Sequence, residues 1–276
     1  MKITILSLAA VLLAASISAA DNPSNVRLYV FDCGLIGTDD ISMFNLSAEE
    51  TPVRELFVPC YLIEHPQGRL VWDAGLPIDM ADKGRIEEEN GVYMIYERGF
   101  DSQLMDLGLT PADIDLVAFS HMHYDHVGAA NLFTESKLLI QDTEYQASFT
   151  EPNNVFFQPE LYMGIADNER LILSGDHDVF ADGTVTIIDA PGHTPGHQVL
   201  LLRLENLGPL VLSGDLYHFA ESRVLKRAPH FNVDADQSYE SMDKVEALIK
   251  KEGAILWIEH EKALADTLDM APAYYD

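Results

Sequence analysis

Four apolar runs in this chain each lead, within a few residues, to a side chain able to hold a metal ion. Asp115-Leu116-Val117-Ala118-Phe119 runs into His121, His123, Asp125 and His126. Thr184-Val185-Thr186-Ile187-Ile188 leads to His193, and Leu210-Val211-Leu212 leads to Asp215. Ala254-Ile255-Leu256-Trp257-Ile258 ends at Glu259-His260. Short, aliphatic, partly β-branched runs of this kind predict buried strands. Rigid strands feeding functional loops at one edge are how open α/β sheets place their sites. Packing alone would need the same coincidence four times.

The densest group, His121-x-His123-x-Asp125-His126, puts three imidazoles and a carboxylate within six residues. Nitrogen and oxygen donors in this mixture suit zinc and its first-row neighbours. His121 and His123 are two residues apart, so an extended loop can turn both onto one ion. Asp125 and His126 follow a bend and can serve a second ion nearby. His193 is expected to complete the first ion and His260 the second, with Asp215 bridging the pair. A shared anionic ligand lowers the repulsion between two close dications. A water held between them would ionise readily, because metal binding brings its pKa from 15.7 to about 7. Structural zinc sites instead saturate four ligands, often with Cys. No Cys takes part here, so the pattern predicts a catalytic site with room for water and substrate.

The remaining sequence narrows the setting. Met1 to Ala20 has a charged start at Lys2, an apolar stretch from Ile3 to Ile17 and the small-residue end Ser18-Ala19-Ala20, the make-up of a secretory signal. Cleavage after Ala20 predicts a periplasmic or secreted protein without a stable membrane anchor, and one domain over 21–276. The formal charge is −28. Removing the single charge of Lys2 takes it to −29, a surface that repels nucleic acid and favours neutral small substrates. Cys33 and Cys60, the only cysteines, can pair in an oxidising compartment. The sequence is compatible with a homodimer.

Further strands are predicted at Val26 to Phe31, Tyr61 to Glu64 and Leu70 to Trp72, the last two joined by a turn at His65-Pro66-Gln67-Gly68. His65 is read as a turn residue. Asp79 to Phe100 reads as an insertion containing a helix. A helix is expected from Asp101 to Leu107, stopped at Gly108, with another helical start at Thr110-Pro111-Ala112-Asp113. The clearest helix follows the capping-box-like Asp234-Ala235-Asp236-Gln237. Its stripe is Met242, Val245, Leu248 and Ile249, and Gly253 is its stop.

His-x-His-x-Asp-His, Pro191-Gly192-His193-Thr194-Pro195-Gly196-His197, Gly214-Asp215 and the late His260 together resemble the metallo-β-lactamase superfamily. The resemblance covers essentially the whole chain after the signal. It implies an α/β fold of the αββα type, two mixed β-sheets flanked by helices. Within the superfamily, Val58 to Ile63, Trp72-Asp73-Ala74-Gly75-Leu76-Pro77 and Pro191 to Gln198 look most like the N-acyl-homoserine lactonases. By that resemblance His121, His123 and His193 bind one divalent ion, Asp125, His126 and His260 the other, and Asp215 both. The ions are expected to be zinc, with iron, manganese or cobalt as alternatives. His197 is expected to support the site rather than bind metal.

The implied reaction is lactone opening by a metal-bridging hydroxide, with Asp125 relaying a proton to the departing alkoxide. The lactonase pattern has a Tyr three residues after the bridging Asp, where this chain has His218, with Tyr217 one place early. His218 or Tyr217 is therefore expected to stabilise the oxyanion. His at that place also resembles the branch containing methyl-parathion-hydrolase-like phosphotriesterases, the main alternative, alongside other ester or β-lactam hydrolases. Ile41, Met43, Phe44 and Leu46 are candidates for an acyl-chain pocket and equally for ordinary core or subunit packing.

Overall fold

The computed structural model describes residues 25–88, 91–150 and 156–276. The expected signal segment, Met1 to Ala20, lies outside the described residues. Eight strands form one sheet: β1 (Arg27–Gly37), β2 (Glu55–His65), β3 (Gly68–Ala74), β4 (Ile86–Glu87), β5 (Tyr93–Ile95), β6 (Leu116–Ala118), β7 (Lys137–Gln141) and β8 (Arg170–Leu173). Five form the other: β9 (His177–Asp178), β10 (Val185–Asp189), β11 (Gln198–Leu204), β12 (Gly208–Leu212) and β13 (Ile255–Trp257). The spatial orders are β4-β5-β1-β2-β3-β6-β7-β8 and β13-β12-β11-β10-β9. Both sheets are mixed, with β3, β6, β7 and β8 parallel in the first and β12 and β13 parallel in the second.

Side chains alternate along each strand to opposite faces, and the inner strands are buried on both. Tyr61, Ile63, Leu70 and Trp72 of the first sheet meet Ile187, Leu200, Leu202 and Leu212 of the second in the layer between them. Cys60, Leu62 and Val71 point the other way, toward α1 (Phe100–Asp106), through Phe100 and Leu104. Val199, Leu201 and Val211 face Met242 and Val245 of α5 (Ala235–Glu252). Asp234 caps α5 by accepting from the Gln237 N–H at 2.9 Å, and Gly253 ends it in the left-handed region. Four short helices complete the described set: α2 (Tyr124–Val127), α3 (Asp142–Tyr145), α4 (Ala220–Leu225) and α6 (Lys262–Ala265). The αββα sandwich is the fold that the resemblance implied.

Local expectations fared unevenly. The first strand runs on past Phe31 to Gly37, across a register shift between Asp32 and Leu35. Among the described residues, the stretch from Asp79 to Phe100 holds the two short strands β4 and β5, with tight helical turns only at Ile78–Met80 and Gly91 and with Phe100 starting α1. Cross-strand pairing to β1 stabilises it, which no local periodicity reveals. His65 closes β2, buried, stacked on Phe180 at 3.9 Å and paired with Asp182 at 2.9 Å. Cys33 and Cys60 form a disulfide between β1 and β2.

Candidate metal centre

The ligand candidates arrive from both sheets. His121, His123, Asp125 and His126 follow β6, whereas His193, Asp215 and His260 follow β10, β12 and β13. All are buried except Asp125, whose carboxylate is partly open. The His193 Nε2 lies 3.1 Å from His121 Nε2 and 3.1 Å from His123 Nδ1. Asp215 Oδ2 joins this group, 3.1 Å from His193 Nε2 and 3.6 Å from His121 Nε2. Its other oxygen, Oδ1, faces His260 Nε2 at 2.9 Å and His126 Nε2 at 3.2 Å. Asp125 Oδ2 stands 3.8 and 3.9 Å from the same two nitrogens. Thus His121, His123 and His193 form one group, Asp125, His126 and His260 a second, and Asp215 gives one oxygen to each.

This donor set fits two divalent ions. Ligands at 2.0–2.2 Å from a tetrahedral ion stand about 3.3–3.6 Å from one another, close to the separations here. The inward nitrogen of His126 and the Oδ1 of Asp215 have no hydrogen-bond partner among the described residues, although both are buried. Burial, helped by the neighbouring imidazoles, pushes His121 and His123 well below the usual histidine range. For Asp215 burial works the other way, but His218, His126, His260 and His121 hold its carboxyl well below the usual range. Against burial, the Asp215 carboxylate draws His126 and His260 up instead, so those two give up a proton on binding an ion, neutral imidazole and ionised carboxylate being the forms that donate lone pairs.

The outer nitrogens are anchored, which fixes each ring's orientation. His193 Nδ1 meets Asn232 Oδ1 at 2.9 Å, and His260 Nδ1 donates to the Phe57 carbonyl at 2.7 Å. His126 Nδ1 faces Asp73 Oδ2 at 3.3 Å and Ser120 Oγ at 3.1 Å. Asp73 also accepts from the Ser120 N–H at 2.6 Å, and Glu259 Oε1 lies 3.7 Å from the His126 ring. Of these supports, Asp73 carries the same signal as the ligands: a carboxylate directly after the apolar run Leu70-Val71-Trp72. Asn232 and the Phe57 carbonyl carry no signal in the sequence. His197 accepts from the Asp215 N–H at 3.0 Å and donates to the Ala190 carbonyl at 2.9 Å. Burial pushes it down to about 3, so it is a neutral brace.

His218 and Tyr217 part company. After the turn Gly214–Leu216 the chain becomes extended at Tyr217, and successive side chains then point to opposite sides. His218 faces the centre, its Nε2 3.0 Å from Asp215 Oδ2. Tyr217 packs among Ile188, Met242 and Val245, and its hydroxyl donates to Glu246 at 3.2 Å. The expectation of a site role for Tyr217 is corrected accordingly: backbone alternation turns it into the layer under α5.

A cavity of about 630 Å³ opens over the centre. His123, Asp125, Asp215, His218 and His260 form its polar floor; Ile36, Leu56, Met80, Val92 and Met94 contribute apolar wall. Met43 and Phe44 line it too, whereas Ile41 and Leu46 lie in the core packing behind.

Comparison with known proteins agrees with this arrangement. The Metallo-beta-lactamase superfamily model matches residues 53–258. The chain belongs to the metallo-β-lactamase superfamily. Among members of that superfamily, the N-acyl homoserine lactonase AttM of Azorhizobium caulinodans is 28% identical over 267 residues, covering 92% of this chain and 100% of the relative. The N-acyl homoserine lactonase AiiA of Bacillus thuringiensis subsp. kurstaki is 27% identical over 261 residues, 90% of this chain and 98% of the relative. A solved quorum-quenching N-acyl homoserine lactone hydrolase superposes with a TM-score of 0.77 at 25% identity, covering 92% of this chain and 99% of that one. Another, with N-hexanoyl-L-homoserine bound at its catalytic metal center, gives 0.74 at 25% identity, covering 90% and 98%.

Proposed function

We propose that this member of the superfamily is a binuclear metal-dependent hydrolase that opens the ring of N-acyl-homoserine lactones. The observation that carries the reading is the division of Asp215, one oxygen toward each donor group, on the floor of a cavity with an apolar wall. His121, His123 and His193 would hold one ion, Asp125, His126 and His260 the other, with Asp215 shared; zinc is our assignment. When bound, the ions supply Lewis acidity and a water acidified to a pKa of about 7. The chain's own groups do the rest. Asp125, partly open to the cavity, is placed to carry a proton to the departing ring alkoxide. His218 reaches the same cavity and can donate toward charge developing on the carbonyl oxygen. The apolar wall suits an acyl chain.

His218 also supports a second reading, phosphotriester hydrolysis. Purified protein assayed on acyl-homoserine lactones of several chain lengths, a paraoxon-like ester and nitrocefin separates them. Lactone opening is expected to dominate; rapid phosphotriester turnover without it would reverse the choice.

We further propose that the protein is exported after cleavage behind Ala20. The charge of −28 fits a soluble extracytoplasmic enzyme that avoids nucleic acid. Among the described residues no helix is long and apolar enough to cross a membrane. The mature chain is expected to begin at Asp21 by intact mass, and a mass retaining Met1 would exclude cleavage.

A further inference from the structure

The first ion's histidines come from different sheets, yet their nitrogens meet at 3.1 Å. The loop after β6 and the loop after β10 must therefore be held in register. Gln198 contributes, donating its N–H to the Ser120 carbonyl and its amide to the Phe119 carbonyl, both at 2.9 Å. Those bonds grip the chain just before the ligands.

Glu144, in α3 beyond the end of β7, reaches the ligand loops themselves. Its side chain is buried, with the residue 2% exposed. Oε1 accepts from the N–H of Met122, the residue between His121 and His123, at 2.9 Å. Oε2 accepts from the N–H of Gly196, three residues after His193, also at 2.9 Å. Thr143 beside it donates its hydroxyl to the Pro195 carbonyl at 2.8 Å. A Cβ at residue 196 would stand 2.6 Å from the Glu144 Cβ, so glycine is what lets the turn approach. A buried carboxylate is costly unless hydrogen-bonded, and these backbone donors lie on the two loops that carry the three histidines.

We infer that Glu144 is a positioning residue, a carboxylate clamp that locks the His121–His123 loop to the His193 turn and so preorganises the first ion's three imidazoles. The inference rests on the cluster holding two ions but not on the identity of the substrate. Glu144→Gln keeps the shape but sets an amide NH₂ against a backbone N–H, opening one side of the clamp.

The test uses the full mature chain, stripped with a chelator and titrated with Zn²⁺ against a competing chromophoric chelator. Glu144→Gln is expected to bind one ion about 10–100-fold more weakly, the usual effect of losing an outer partner, and the other as the parent does. The weakened ion is expected to be the one that His193→Ala also loses. Parent-like binding of both ions, or equal weakening of both, overturns the inference. If Glu144→Gln does not fold, Thr143→Val decides: selective weakening of the His193 ion supports the clamp, and unchanged binding overturns it. A failed lactone assay would overturn the proposed function and leave this result standing.

Discussion

Asp215→Asn is expected to lower lactone turnover at least about a thousandfold, equivalent to roughly 4 kcal/mol of barrier. The substitution preserves shape and removes the one charge that both donor groups share. Five imidazole nitrogens stand 2.9 to 3.6 Å from this carboxylate, from His260, His218, His193, His126 and His121. With an amide in its place, two close dications lose their common anion, and one oxygen position becomes a donor facing imidazoles. Metal analysis on the same preparation should show fewer than two ions per chain. Turnover within tenfold of the parent, with both ions retained, would refute the shared-ligand role.

Stripping the metals is expected to abolish turnover and to destabilise the fold, both restored by Zn²⁺. A ligand present at about a thousand times its Kd stabilises the folded state by about 4 kcal/mol. In a chain of this size that corresponds to a Tm lower by roughly 8–16 °C without metal. The direction follows from the centre's make-up: buried imidazoles and a carboxylate from four separate loops converge within ligand distance of one another. Calorimetry with and without chelator measures the shift. An unchanged Tm together with unchanged turnover would dismiss the metal reading entirely.

Much of the architecture was legible because it is written locally. The run Val117 to Phe119 and the helix with Asp234 and Gly253 at its ends carry their own periodicity and caps. The short pairs β4 and β5 do not, since cross-strand partners stabilise them. Strand β11 went unread for another reason: its run Val199-Leu200-Leu201-Leu202 is mostly leucine and leads to no metal-capable side chain, and a short leucine-rich run does not separate strand from helix by periodicity. At the centre, the donors are legible by their place after apolar runs, and Asp73 obeys the same rule. Glu144 and Asn232 act through contacts with distant loops, which leave no pattern along the chain.

By itself the sequence determined which residues can ligate and which strands deliver them, because strand propensity and ligand chemistry are properties of neighbouring residues. Only the tertiary structure decided that ends of two different sheets meet, and that Asp215 turns one oxygen to each donor group. It also decided that His218 faces the cavity while Tyr217 turns to Glu246. Those outcomes depend on how the two sheets pack and on the backbone angle at one residue, and neither is encoded in spacing.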